Sequence, residues 1–261
     1  KRLSIVIQAK RKEEWKTYDI ADPSTHKLLP QKIIGYTSGD NETISLPFLV
    51  SRSGYADEVS NAAFAKSAPD SYVPDTRLML IDYETNLEVI VSNLLTTTDV
   101  QRQALLADAN LVDIHSFRCV VQLAHRAAPK VPRKRRGNSN RKGRKGIQLT
   151  DELENYLDRL QRCATCYQYD EKTETYTFDF WVNAGTKAAF RFFWDSTLDL
   201  YSAFHKLSML NDLAIPKYTR ERFHRDTKTR RFAARLPEPQ DEDKVFRFNE
   251  VRFTAGKDTK V

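Results

Sequence analysis

The chain has 261 residues, 40% of them apolar and 11% aromatic, and a formal net charge of +7. That composition supports one large core or two modest ones and excludes a chain that is disordered throughout. No run of about eighteen apolar residues occurs, so no membrane span and no membrane partner are expected. The three cysteines point to a reducing compartment, the cytoplasm or the nucleoid or nucleus, with a virion as the alternative.

Residues 1–7 are basic and then apolar, but the apolar stretch stops at Gln8 and no small-residue cleavage site follows. They read as a first strand over residues 3–8 rather than as a signal peptide. A polar segment with "DPSTHK" as its turn leads to a second strand over 33–36. Pro47 interrupts the apolar residues 44–50 and demotes them to an edge strand or extended loop. Residues 55–66 have helical spacing and stop before "PDSYVPD". Strands are expected at 77–83 and 88–93, joined by "ETNL".

Thr98 has the character of an N-cap, with Asp99 in the first turn of a helix over 98–108. After a break near Asn110, a second helix is expected over 112–127 and is closed by Pro129 and Pro132. The pair has a helix-turn-helix character, with His115, Ser116, Arg118, Gln122 and Arg126 outward, the last two being types that read base edges. Leu111 stands where a turn glycine is usual, so a plain helical hairpin is the preferred reading.

Ten Lys or Arg then fall within twenty residues without a carboxylate: Arg126, Lys130, Arg133, Lys134, Arg135, Arg136, Arg141, Lys142, Arg144 and Lys145. Taking those ten charges from +7 leaves −3 for the rest, so the basicity is local. Gly137, Gly143 and Gly146 lower helix propensity, and almost nothing here can be buried. Such a segment, at most about 66–72 Å long when extended, suits a row of phosphates. A nuclear transport signal, an acidic protein partner and an anionic surface share its composition.

Thr150 is placed to cap a helix over 151–163. Two alternating runs around "DEKT" form a hairpin, "KAAFRFFW" reads as a third strand, and Asp195-Ser196 caps a helix through Leu210. The tail from Pro216 is expected to be irregular, and "VFRFNEVRF" to be a last strand. Within that tail, Lys217, Arg220, Arg222, Arg225, Arg230 and Arg231 interleave with Tyr218, Phe223 and Phe232, a mixture that suits a single-stranded ligand.

Two constellations bear on chemistry. His115 and Cys119, one helical turn apart, with Cys163 and Cys166 give a four-ligand set of types that structural zinc accepts; buried apolar cysteines are the plainer reading. Asp75, Asp82, Glu84 and Glu88 offer carboxylates to a metal-dependent nucleic-acid-processing enzyme, whereas Asp170, Glu171 and Lys172 belong to turn chemistry. No Gly-rich phosphate loop or Gly-x-Ser-x-Gly turn occurs, and no cofactor is expected.

The sequence therefore predicts an α+β protein with mixed or antiparallel sheets. Its expected parts are an N-terminal subdomain (1–127), a basic loop (128–147) and a C-terminal subdomain (148–261). The expected role is a non-enzymatic nucleic-acid-binding component, for DNA or RNA, of an assembly with other proteins. The enzyme centred on Asp82 and a module for an acidic protein partner are the alternatives.

Overall fold

A computed structural model describes residues 6–38, 42–63, 73–124, 145–229 and 236–256. The α+β class holds, with helices and strands in several small sheets. The expected first strand proves to be half of a hairpin, β1 (Ile7–Arg11) with antiparallel β2 (Glu14–Tyr18). Lys12 turns the corner at φ 56°, a region that glycine or asparagine ordinarily fills, which is why "RKEE" gives no turn signal.

β3 (Ile33–Tyr36) and β4 (Leu78–Ile81) pair in parallel, which requires a crossover, and α1 (Glu42–Ala62) lies between them in sequence. The strand expected at 44–50 is thus the first half of α1, with Pro47 inside the helix. A proline there forfeits one backbone hydrogen bond, but Tyr55, Ala56 and Val59 of the same helix are sealed in the core and anchor it.

Next come α2 (Asn86–Thr96) and α3 (Asp99–Leu106). The strand expected at 88–93 is part of α2: Glu88, Val91, Ser92, Leu94 and Leu95 are buried at helical spacing, so packing overrides the strand preference of Val89, Ile90 and Val91. Thr98 caps α3 through a reciprocal box with Gln101, and Asn110 ends that region at φ 51°. The expected second helix is instead the long strand β5 (Leu111–Gln122). Phe117, Cys119, Val121 and Leu123 all point into the core, a period of two that a helix cannot produce. This removes the helix-turn-helix reading.

The chain continues through α4 (Asp151–Cys163), β6 (Cys166–Asp170), β7 (Thr175–Trp181), α5 (Ala184–Phe193), α6 (Thr197–Met209), α7 (Lys217–Lys228) and β8 (Phe246–Ala255). Thr150 holds the N-cap position of α4 without a side-chain capping bond, and Ser196 accepts from the Asp199 N–H to cap α6. The expected third strand is α5: Asn183 caps it, and Phe190 and Trp194 are buried one turn apart while Phe192 faces solvent. The expected irregular tail contains α7, whose buried side chains are Arg220 and Phe223.

β5 to β8 form an antiparallel sheet in the order β6-β7-β5-β8. With α4 between β5 and β6, and α5 and α6 between β7 and β8, the connectivity is that of a split β-α-β unit. Leu153, Leu157 and Leu160 of α4, Phe190 of α5 and Phe204 of α6 join Phe178, Phe180 and Phe246 in the core on one face of this sheet. Each such side chain contributes about 1.5–3 kcal/mol by burial. The core also takes Tyr55 and Val59 of α1 and Leu94 of α2. Sheet and core thus draw on both sides of residues 128–147, and the boundary expected there does not divide the core.

Candidate nucleic-acid interface

Residues 124 and 145 bracket most of the basic segment, and both are tied to the β6–β7 hairpin. The Ala124 N–H donates to the Thr173 carbonyl at 2.9 Å and the Leu123 N–H to that of Glu174 at 3.2 Å. Returning, the Ile147 N–H donates to the Leu123 carbonyl at 2.7 Å. Between these strands lies the Glu174 carboxylate, only 4% exposed, which accepts the Lys145 N–H at 2.6 Å and the Gly146 N–H at 3.0 Å. Glu174 itself sits at φ 49°, so the turn that ends the hairpin swings its side chain to this junction. A Cβ at Gly146 would run into the Leu123 carbonyl, so the close approach of the two chain ends requires glycine.

Of the cations expected to meet nucleic acid, Arg126, Lys130, Arg133, Lys134, Arg135, Arg136, Arg141, Lys142 and Arg144 lie outside the described residues, as do Arg230 and Arg231. Lys145 is exposed beside the Glu174 clasp. On α7, Tyr218 (74% exposed), Arg222 and Arg225 follow at i, i+4 and i+7 and so share one outward face, with Lys217 and Lys228 nearby. Two acids temper it: Glu221 lies 3.6 Å from Lys217, and Asp226 3.5 Å from Arg222. Arg220 leaves the set. It is 4% exposed and donates to Asp57 at 2.6 Å and to the carbonyls of Asp212 and Ile215, so it fastens α7 to α1 rather than facing a ligand. Phe223 completes that attachment with Ile215 and Leu236.

The four-stranded sheet turns its other face away from the helices. Arg118 makes a two-pronged bond to Asp179 at 2.6 and 2.9 Å, Arg252 is held by Glu250 at 2.6 Å, and Trp181 stands edge-on to His115. The Arg118 and Arg252 charges on this face are thus offset, which lowers its attraction for a polyanion.

The expected zinc ligands do not assemble. His115 is on this outer face, Cys119 points into the core, Cys163 is buried at the end of α4, and Cys166 is exposed on β6. Among the described residues, no three His, Cys, Asp or Glu side chains are grouped as ligands for a metal. The acidic residues near Asp82 are committed to the fold. Asp82 accepts from the Glu84 and Thr85 N–H groups, an Asx turn that leads into α2. Glu84 lies 3.7 Å from Arg52 and 3.9 Å from Lys244; burial, and then a hydrogen bond with Glu238, pushes its carboxyl up to about 7. Buried Glu88 has His205 Nδ1 at 3.7 Å, too far for a hydrogen bond.

Asp75 lies in a separate cleft of about 860 Å³ between α4, α6 and the β3–β4 pair, lined by Lys32, Glu152, Tyr156 and Trp194. At its floor is Lys206, 5% exposed and held by Asp75 and by Glu152. Burial opposes its charge, but these two carboxylates hold the amine above its ordinary value. Lys32 is likewise paired with Asp75 at 3.0 Å. Asp75, Lys32, Lys206 and Glu152 in this cleft are thus engaged with one another.

Glu174 and the β1–β2 hairpin are the features that sequence reasoning missed. Glu174 gives no local signal, because its partners are 28 and 29 residues away in the chain. Comparison with known protein families, with curated proteins and with solved structures finds no match to this chain.

Proposed function

We propose that this protein binds nucleic acid through phosphate contacts and serves as a non-enzymatic part of a nucleoprotein assembly. One observation carries the reading: ten cations and no carboxylate between Arg126 and Lys145, in a chain whose other residues sum to −3. A positive run of that density repels itself and gains most from a partner that brings its own regularly spaced negative charge. Two observations on the fold support it. Residues 123–124 and 145–147 are joined by direct hydrogen bonds and the Glu174 clasp, so the segment is bracketed by a fixed base. The outward side of α7 adds Arg222, Arg225 and Lys228 beside an exposed tyrosine.

Phosphate contacts position a protein without specifying sequence. The reading therefore predicts broad binding, with DNA or RNA chosen by other contacts. Among the described residues no helix is long and apolar enough to cross a membrane. The free thiols of Cys119, Cys163 and Cys166 suit a reducing compartment or a virion.

Equilibrium titration with duplex DNA, single-stranded DNA and a structured RNA tests the proposal. If six to ten of the charges meet phosphates, affinity falls by roughly three to five orders of magnitude between about 50 and 200 mM salt. Absence of binding to all three at the lower salt, or binding indifferent to salt, overturns it.

A further inference from the structure

The β1–β2 hairpin carries a feature that the fold does not use. Its cations Lys10, Arg11, Lys12 and Lys16 make no ion pair among the described residues, but Arg11 stands opposite Glu14 in the register and Lys16 lies over the Tyr18 ring at 5.5 Å, which leaves Lys10 and Lys12. Cations that serve the fold are taken up by carboxylates: Arg52 by Asp212, Arg118 by Asp179, Arg220 by Asp57 and Lys206 by two of them. Beside these free charges Trp15 is 63% exposed, directly opposite Lys10 in the register, and touches no other ring among the described residues. Trp194, by contrast, is buried on Phe190, and Trp181 leans on His115. Next to the Trp15–Lys10 pair, on the same face, Gln8 and Thr17 are hydrogen-bonded at 3.1 Å, which makes that side of the hairpin level. Among the described residues, none of the hairpin belongs to either apolar cluster.

An exposed indole with an unpaired lysine opposite it fits a ligand that presents a flat aromatic face next to a negative charge. Unpaired nucleotides do so, whereas in a duplex the base faces are hidden by stacking. We infer that the β1–β2 hairpin is a second nucleic-acid contact, specific to single strands, in which a base stacks on Trp15 while Lys10, opposite it, and Lys12, at the turn, meet the neighbouring phosphates. This inference rests on the nucleic-acid reading above and refines it, since the basic segment alone does not distinguish single strands from duplexes. By the register Lys10, Gln8 and Thr17 share the face of Trp15, a polar surround in place of the apolar rim that a protein partner would need.

The test uses the full-length chain, labelled oligothymidylate, and a labelled duplex of equal length. Trp15→Ala should weaken binding to the single strand by about 5- to 100-fold, the range for one lost stacking contact, and change duplex affinity by less than about twofold. Trp15→Phe, which keeps an aromatic face, should recover most of the loss. Thermal unfolding of Trp15→Ala should match the wild type, because the ring has no core contact. Equal losses on both probes, or an unchanged single-strand affinity in a wild-type background that binds, overturn the inference and leave the broader proposal standing. A wild type that binds neither probe overturns both.

Discussion

Removing the Glu174 carboxylate should loosen the base of the basic segment at a calculable cost. The side chain accepts two backbone N–H groups, at 2.6 and 3.0 Å, from a nearly sealed position. Hydrogen bonds to a charged group contribute about 1.5–3 kcal/mol each, with the larger figure where the orphaned donor stays buried. Gly146 is buried and Lys145 is exposed, so water replaces the carboxylate at one N–H and not at the other. Glu174→Ala should therefore cost about 3 kcal/mol, which for a chain of this size lowers the Tm by roughly 6–12 °C. Glu174→Gln retains one acceptor and should lose roughly half as much. Because residue 174 sits at φ 49°, Glu174→Gly relieves the backbone and should be more stable than Glu174→Ala by about 1 kcal/mol, yet clearly below the wild type. Urea unfolding gives these differences, and amide exchange at Lys145 and Gly146 should accelerate in all three variants. A Glu174→Ala protein within about 0.5 kcal/mol of wild type, with unchanged exchange at both amides, would refute the clasp.

Three further predictions follow from the buried charges and thiols. Glu84, whose carboxyl lies near 7 in the fold against an ordinary 4.5, binds its proton more tightly when folded; its contribution is full below the ordinary value and is lost as pH rises through 7. Relative to Glu84→Gln, the wild type should thus lose stability between about pH 5 and pH 8 in urea titrations, and parallel curves would contradict this. Asp212→Ala removes the nearer carboxylate of Arg52, 2.9 Å away and 2% exposed, and leaves Glu84 at 3.7 Å, so it should cost about 3 kcal/mol, the lower end for a broken buried pair, in the same assay; a cost below about 1 kcal/mol would deny the pair that role. Burial pushes the Cys163 thiol up to about 12 and that of Cys119 still higher, so a thiol reagent should modify Cys166 alone in the native protein and all three cysteines after unfolding.

The hairpin of β6 and β7 was legible because Tyr176, Phe178 and Phe180 alternate cleanly around a turn-forming "DEKT", and α4 and α6 because their leucines keep a helical spacing. β5 misleads for a definite reason: Phe117, Val120, Val121 and Ala124 fit a helical stripe as well as Phe117, Cys119, Val121 and Leu123 fit an alternating one. Only the partners on both sides, β7 and β8, decide between them. The four aromatic residues at 190–194 resemble a buried strand until Asn183 is seen to cap a helix that leaves Phe192 in solvent. α7 has too few apolar residues to show a stripe, since a buried arginine, Arg220, does part of the anchoring. The basic segment announces itself through composition, which needs no tertiary information. Glu174 and Trp15 do not, because a carboxylate's buried partners and an indole's exposure are properties of the fold.

The most direct test of the account is the salt dependence of nucleic-acid affinity in a variant with Arg133, Lys134, Arg135 and Arg136 all changed to Ala. If these four side chains neutralise phosphates, the slope of log affinity against log salt should become shallower by about 3–4 on duplex DNA and by slightly less on single strands. Affinity at low salt should fall as well, with the Tm unchanged. A slope and an affinity equal to those of the wild type would contradict the claim that this cationic run exists to meet a polyanion.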